Sequence, residues 1–426
     1  MRLVQPFRLI VVAGFALLAG LMAGGPGYAD ELPSFSPKTY DLTVRAISAY
    51  EEIADAGGWK PLPDIAIGLK LGSTGKLAVA LRQRLAVTLD LDPTLPPSKL
   101  FDETARQALQ HFQARHGLTQ TGVVGKLTLA ALNVPVEDRL RQLDATLTRM
   151  ASGSFPFGDR YVVVNLPAAS LEAVENGVVN RIYTTVVGRP DRPSPTLQTR
   201  IVAANILPYW NVPPALVRVD IMPKQLKDPH FLETSHMKVL GPKGNEIDPT
   251  TIDWTGKSGV DFNIRQEPGV DNSLGFVRID MPNPYAVYMH DTPHRENFRQ
   301  DVRFQSSGCT RVAGAQDLVA WLLAGTEWTG AAIQDRIDSG EPKTVRLSKP
   351  VPVAWVYFTA WGAADGTIQF RPDIYSLDNP MGILLSTIGP PFSIDKTAAK
   401  PVKTAAKAPA KPDPATTGSI RLAKKQ

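Results

Sequence analysis

The chain has 426 residues, 43% of them hydrophobic and 8% aromatic, which is enough for two or three domains with real cores and excludes a wholly disordered protein. Its formal charge of +5 is unevenly spread, because residues 396–426 alone hold seven lysines and Arg421 against Asp413, and Arg2 and Arg8 add two more charges near the start. What remains is mildly acidic, so the basic average does not mark a nucleic-acid-binding protein.

Arg2 and Arg8 precede an almost wholly apolar run from Leu9 to Met22, and Gly27-Tyr28-Ala29 supplies small residues before Asp30. This pattern predicts a cleaved signal peptide over 1–29 and export to the periplasm, with an uncleaved membrane anchor as the alternative. Cys309 is the chain's one cysteine. No intramolecular disulfide can form, and a lone thiol in an oxidising compartment calls for a reason.

Residues 30–64 form an N-terminal helical segment, with Leu42, Val44, Ile47, Tyr50 and Ile53 at helical spacing and Pro61 and Pro63 ending the unit. Residues 65–134 read as three short helices around a small core. Leu77, Val79, Leu81 and Leu85 mark the first. Asp102 is placed to cap the second, which buries Ala105, Leu109 and Phe112 and is stopped by Gly117. The third runs from Lys126 to Leu132 after a turn at Gly122–Gly125.

This module resembles the type 1 peptidoglycan-binding domain family. The matching features are Gly72, the Leu81/Leu85 pair, Phe112-Gln113, His116-Gly117-Leu118, Gly122, Gly125, Thr128 and Leu132, with Thr121 where the family usually has Asp. The resemblance implies binding to glycan or peptide stems, or a scaffold role. His111 and His116 read as structural, and neither a metal site nor a cofactor is expected.

Residues 135–158 read as a connecting helix. From 159 the pattern turns β-rich, over 161–166, 178–187, 198–203, 277–279 and 286–289. Strands that recur without helices between them predict a mainly antiparallel unit over 159–345, completed by 346–393, and an α+β multidomain chain. Residues 209–260 interrupt it with a helical, Pro-flanked insertion, either a lid or a packing appendage. The Lys/Ala/Pro-rich tail, 394–426, is expected to be disordered.

Cys309 lies in the stretch Ser306-Ser307-Gly308-Cys309-Thr310-Arg311-Val312, ahead of an apolar-faced helix from 315. A helix N-terminus so close predicts a lowered thiol pKa and backbone N–H groups able to hold an oxyanion. Gly308 lets a substrate approach the backbone. His290 is the first candidate base and His294 the second; His230 and His236 lie in the insertion. Histidine precedes cysteine, the reverse of papain-like hydrolases and of one large group of cell-wall cysteine peptidases. Sortases share the order of His, Cys and Arg but lack the Ser-x-Gly-Cys loop.

His290 together with Ser306–Val312 resembles the L,D-transpeptidase (YkuD-like) catalytic domain, in its larger Gram-negative form with a peptidoglycan-binding module and an insertion. Gly188-Arg-Pro190, Ser194-Pro195, Trp210-Asn-Val-Pro213, Arg265–Gly269, Asn272, Leu274-Gly275, His290-Asp-Thr-Pro293 and Tyr357–Asp378 extend the likeness. Ser307 stands where many members have a second His, which leaves His290 as the base.

The resemblance implies that Cys309 is the nucleophile, His290 the general base and acid, and the Asp291 carbonyl the group that orients the imidazole. It implies an oxyanion hole from the N–H groups of Gly308 and Cys309. Arg311 would bind a substrate carboxylate or hold the loop through an ion pair, and Ser306, Ser307, Trp210 and Asn272 are further substrate-binding candidates. The implied activity is peptidoglycan 3→3 cross-linking through a thioester, with peptidoglycan as partner and the protein a monomer. L,D-carboxypeptidase activity, attachment of an envelope protein to the wall and non-catalytic wall binding are the alternatives.

Overall fold

Local chemistry starts the helices. Ser36 caps α1 (Pro37–Asp55) by accepting from Thr39 N–H at 3.1 Å, with proline at the first helical position. Asp102 caps α3 (Glu103–Arg115) by accepting from Ala105 N–H at 2.9 Å. Beyond the end of α3, Gly117 has a φ of +66°. With α2 (Lys76–Val87) and α4 (Lys126–Asn133), α3 encloses a core of Leu81, Leu85, Phe101, Leu109, Phe112 and Leu132. The connecting segment is α5 (Val136–Ala151), which packs with α1 through Ala46, Tyr50 and Leu143.

The computed structural model describes residues 31–256 and 263–380. The signal-like segment 1–29, the tail 394–426, residues 381–393 and residues 257–260 of the insertion, read above from sequence, lie outside the described residues.

The helical module is fastened to its surroundings by stacked cations and rings. The Arg84 guanidinium lies 3.8 Å from the Trp59 ring centre, and that of Arg139 lies 4.5 Å from Phe370. His116 stacks between Phe112 and Phe370, at 3.8 and 5.4 Å between centroids, while its Nδ1 donates to Phe112 O at 2.7 Å. Burial drives the His116 pKa well down, so the ring is neutral. Phe112 is fully enclosed, so Phe112→Ala should destabilise the chain by about 3–5 kcal/mol. Denaturant unfolding would measure this, and a loss under about 1 kcal/mol would mean that the stack bears little of the stability.

The β-rich unit begins with β1 (Arg160–Asn165), β2 (Ser170–Glu175), β3 (Val178–Gly188) and β4 (Leu197–Ile206). After the insertion come β9 (Val277–Asp280), β10 (Met289–His290), β11 (Phe304–Ser306), β12 (Thr310–Val312) and β13 (Lys343–Val356). The strand order is β11-β3-β12-β10-β9-β4-β13-β1-β2, and β2 pairs back onto β3, closing the sheet. Most pairings are antiparallel, but β1–β13, β10–β12 and β3–β11 are parallel. The interior holds Val164, Val187, Ile279, Met289, Val312, Val353 and Trp355, against which α9 (Ala315–Leu322) packs Leu318 and Val319. The following α10 (Gly330–Asp338) adds Ile333.

Two expectations change. A boundary at 345/346 would cut β13, a single strand that sits between β4 and β1 and is indispensable to closure. The insertion is not simply helical. Short helices α6 (Pro214–Leu216), α7 (Met222–Lys227) and α8 (Phe231–Thr234) sit beside a four-stranded sheet. Its strands are β5 (Trp210–Asn211), β6 (Met237–Leu240), β7 (Glu246–Ile247) and β8 (Asn263–Gln266), in the order β5-β8-β6-β7. The insertion therefore runs to Gln266 and buries its own core, including Val217, Leu232, Val239, Trp254 and Ile264. Downstream, β14 (Ala360–Gly362) and β15 (Ile368–Phe370) form a hairpin.

Candidate active site

The register of three short strands assembles the site. In the parallel pair β10–β12, His290 lies opposite Arg311, and in the antiparallel pair β9–β10 it lies opposite Arg278. Residues directly opposite share a face, and each strand alternates with period two. Met289, Ile279 and Val312 therefore face the buried interior, while His290, Arg311 and Arg278 face the other way. Tyr288 and Cys309, two residues before His290 and Arg311, alternate onto that outer face. Direct contacts agree: the Tyr288 and His290 rings are 5.8 Å apart, and the Tyr288 backbone lies close enough to the Cys309 sulfur to act on its pKa.

His290 is 5% exposed. Its Nδ1 lies 2.5 Å from Asp291 O. A carbonyl can only accept, so Nδ1 carries the proton and Nε2 is the free base. Burial, aided by the positive charge of Arg311, lowers the imidazole pKa to about 3. Asp291 itself is buried, and its carboxylate accepts from Phe276 N–H at 3.1 Å. A Cβ on Gly275 would come within 2.6 Å of that carboxylate carbon, and Gly275 has a φ of +61°, so only glycine fits there.

The Cys309 environment corrects one expectation. Strand β12 separates the cysteine from α9, whose N-cap is Gly314. The sulfur is therefore not at a helix N-terminus. Burial pushes the thiol up to about 11, against the lowering effects of the Tyr288 backbone, Arg311 and Arg278. The resting pair is a neutral thiol beside a neutral imidazole.

The loop carrying the cysteine is held from three sides. Ser306 Oγ donates to Cys309 O at 2.5 Å and accepts from Gly308 N–H at 3.2 Å. Ser194 Oγ donates to Gly308 O at 2.8 Å and accepts from Gly188 N–H at 2.9 Å. Tyr375 donates to Gly188 O at 2.6 Å and accepts from Ser194 N–H at 3.2 Å, so the C-terminal segment reaches the loop. Gly308 has a φ of +112°, a strained region for any other residue. Its N–H is engaged by Ser306, whereas among the described residues the Cys309 N–H has no acceptor.

The other candidates sort by position. Arg311 stands beside the sulfur with its Nε buried and unpartnered, and among the described residues no carboxylate lies within ion-pair distance of it. The alternative of a structural ion pair is not what the structure contains. Ser306 is buried as a loop clasp. Ser307 is exposed and accepts from Arg192 at 3.1 Å, and Arg192 also pairs with Asp220 of the insertion at 2.8 Å. Asp220 lies in a single π-helical turn, Val217–Ile221. Trp210 reaches the site beside the Tyr288 side chain, close enough to lower its pKa against the effect of burial.

Asn272 is a correction. It is 1% exposed, its amide donates to Pro208 O and Glu267 O, and its carbonyl accepts from Leu274 N–H. With its hydrogen-bonding groups so engaged inside the protein, it fastens a loop and meets no ligand. His294, His230 and His236 are exposed, each next to a carboxylate and none on the His290 face. Tyr288 and Arg278 are site residues that motif reading did not single out, while Ser194 and Tyr375 lie in stretches that extended the likeness without being given a role. Alternation from His290 could have found Tyr288, but Arg278 needed the strand pairing.

Two family models match the chain. Residues 159–337 match "L,D-transpeptidase catalytic domain" and residues 74–132 match "Putative peptidoglycan binding domain". Among curated proteins, a "Putative L,D-transpeptidase" from Haemophilus influenzae is 31% identical over 223 residues, or 52% of this chain and 45% of that protein. The chain thus spans less than half the length of that relative. Among solved structures, an L,D-transpeptidase from Xylanimonas cellulosilytica is 17% identical, covering 70% of this chain and 99% of that one with a TM-score of 0.21. One from Stackebrandtia nassauensis is 13% identical, covering 70% and 96% with a TM-score of 0.26. Neither superposition is close enough to inform the site. Residues 159–337 are therefore similar to an L,D-transpeptidase catalytic domain, and residues 74–132 to a putative peptidoglycan-binding domain.

Proposed function

We propose that this chain is an exported, periplasmic peptidoglycan L,D-transpeptidase that forms 3→3 cross-links through a thioester on Cys309. One observation carries the reading: His290, with Nδ1 tied to Asp291 O, shares the outer face of adjacent parallel strands with Cys309 and Arg311. A base with its free nitrogen on the nucleophile's face is the arrangement that covalent acyl transfer needs.

In this mechanism the Cys309 thiol passes its proton to His290 Nε2 as the sulfur attacks the carbonyl of the third residue of a donor tetrapeptide stem. The Cys309 N–H takes the developing oxyanion, and the cationic Arg311 and Arg278 favour the thiolate. The intermediate collapses, the terminal D-alanine leaves with the proton from His290, and a thioester remains. An amine of a second stem attacks that thioester, gives its proton to His290 and restores the thiol. The insertion, joined to the site through Trp210 and through the Arg192–Asp220 pair, limits water so that the amine competes. Arg311 is the group suited to a substrate carboxylate, and the buried, unpartnered Nε supports that role. The helical module holds the polymer.

Incubation with a disaccharide tetrapeptide tests this directly. Intact-mass measurement should show an acyl adduct on Cys309 with one D-alanine released per adduct, followed by 3→3 dimers. Tripeptide as the sole product would make water the acceptor and the protein an L,D-carboxypeptidase. Absence of any adduct would remove the thioester reading.

A further inference from the structure

A cavity of about 630 Å3 lies away from Cys309, between the helical module and the closed sheet. Its apolar wall includes Leu127 and Ala130 of α4 and Ala168 of the β1–β2 turn, and its cationic wall includes Arg139, Arg303 and Arg371. A volume of several hundred Å3 with an apolar lining and a few polar groups is what small-ligand sites have.

The charge balance in this cavity points to a ligand. Arg371 donates to Arg115 O and Phe370 O, and Arg139 donates to Ala131 O and Gln142. These two guanidiniums therefore cap the C-terminal ends of α3 and α4, whose dipoles answer about half a charge each. Arg303 donates only to Gln300 O and Ala168 O, and its Nε is buried without a partner.

Among the described residues none of the three has a carboxylate within ion-pair distance. The acids on the cavity wall make their direct contacts elsewhere, although Asp301 acts through space on Arg303 and Asp138 on Arg139, as Glu172 does on Arg371. Asp138 pairs with Arg141, and Asp378 with Arg149. Asp373 accepts from Tyr357 and from two backbone N–H groups, and Asp301 accepts from Thr119. Positive charge that is partly desolvated and has acids only at longer range, with no direct ion pair, is costly unless an anion meets it. Burial and mutual repulsion already lower the pKa of Arg371 to about 10.

Arg303 also touches the reaction machinery. Its carbonyl accepts from Val187 N–H at 3.0 Å, and β11, which leads into the cysteine loop, begins at the next residue.

We propose that this junction cavity binds a carboxylate-bearing peptide stem of the wall polymer, separate from the stem that Cys309 acylates. The inference rests on the reading that the polymer is the substrate. The carboxylate would meet Arg303, and the stem's aliphatic part would lie along Leu127 and Ala130.

The test uses the full chain as Cys309→Ala, in which no adduct can form, with a disaccharide tetrapeptide as the probe. Hydrogen exchange should show protection over 126–134 and 300–304 in addition to any at the cysteine loop. Leu127→Glu introduces a repelling carboxylate at a position 48% exposed, where folding tolerates it. That variant and Arg303→Gln should each weaken the junction protection at least tenfold in probe concentration. Protection confined to the cysteine loop, or unchanged junction binding in Leu127→Glu, overturns the proposal. Equal protection by inorganic sulfate or by a stem with amidated carboxylates overturns it as well, because neither is a carboxylate stem. Adduct formation in the unaltered chain is scored separately, so failure of the thioester reading and failure of the cavity are distinguishable.

Discussion

Cys309→Ala should reduce D-alanine release from a tetrapeptide stem to background, a loss on the order of 10^4-fold or more, with thermal unfolding little changed. The stability part follows from position: Cys309 is only partly buried and packs at the rim of the interior, so loss of one sulfur opens little space. The activity part follows from the chain having no second thiol. Cys309→Ser should fail almost as badly, since a hydroxyl holds its proton more tightly than a thiol. With the free thiol pushed up to about 11, thiolate at pH 7 is about one part in 10^4. Alkylation by iodoacetamide should therefore be slow at neutral pH and should accelerate steadily up to the thiol's own pKa. Fast alkylation at pH 6 would mean a preformed thiolate and would overturn the neutral-pair ground state. D-alanine release retained by Cys309→Ala would sink the nucleophile assignment itself.

His290→Gln is the second large effect, a loss of roughly 10^3-fold in kcat/KM. Glutamine can keep a hydrogen bond to Asp291 O but cannot accept and return a proton. The pH profile separates this role from a structural one. A base must be neutral to work, and burial with the Arg311 charge lowers His290 to about 3. Falling pH therefore protonates it only near that value, well below the ordinary imidazole range. On the alkaline side the thiol does not ionise until about 11. The profile of kcat/KM should be flat from roughly pH 5 to pH 9. An acid limb near 6.5, the ordinary imidazole value, would show that His290 is solvated in the working enzyme.

What could be read from the sequence was whatever the chain decides locally. Asp102 caps and Gly117 terminates because each acts on its own turn. The apolar spacing of Leu81, Leu85, Leu109 and Phe112 marks a helical core without knowledge of the partner. His290 and Cys309 were legible through their types, their order and the loop around them. Pairing was not legible. Strands of two or three residues, such as β10 and β12, are too short for period two to stand out, so neither sheet closure nor the row His290–Arg311–Arg278 could be read. The expected helix N-terminus at Cys309 failed for the same reason, because Thr310–Val312 looks like the approach to a helix until its partner strands are known. The insertion's sheet was hidden likewise. Asn272 misled because an asparagine that clasps a loop and one that meets a ligand look identical in sequence.

The stacking of Arg84, His116 and Arg139 against Trp59, Phe112 and Phe370 bears on where in the wall the reaction can occur. A module on a flexible tether raises local substrate concentration over a sphere of positions and is indifferent to which stem arrives. A module bolted in place works as a caliper. Under the proposed function it would set one span and one heading between a bound strand and the cysteine, so that the spacing of stems along the polymer would select the stem that reacts.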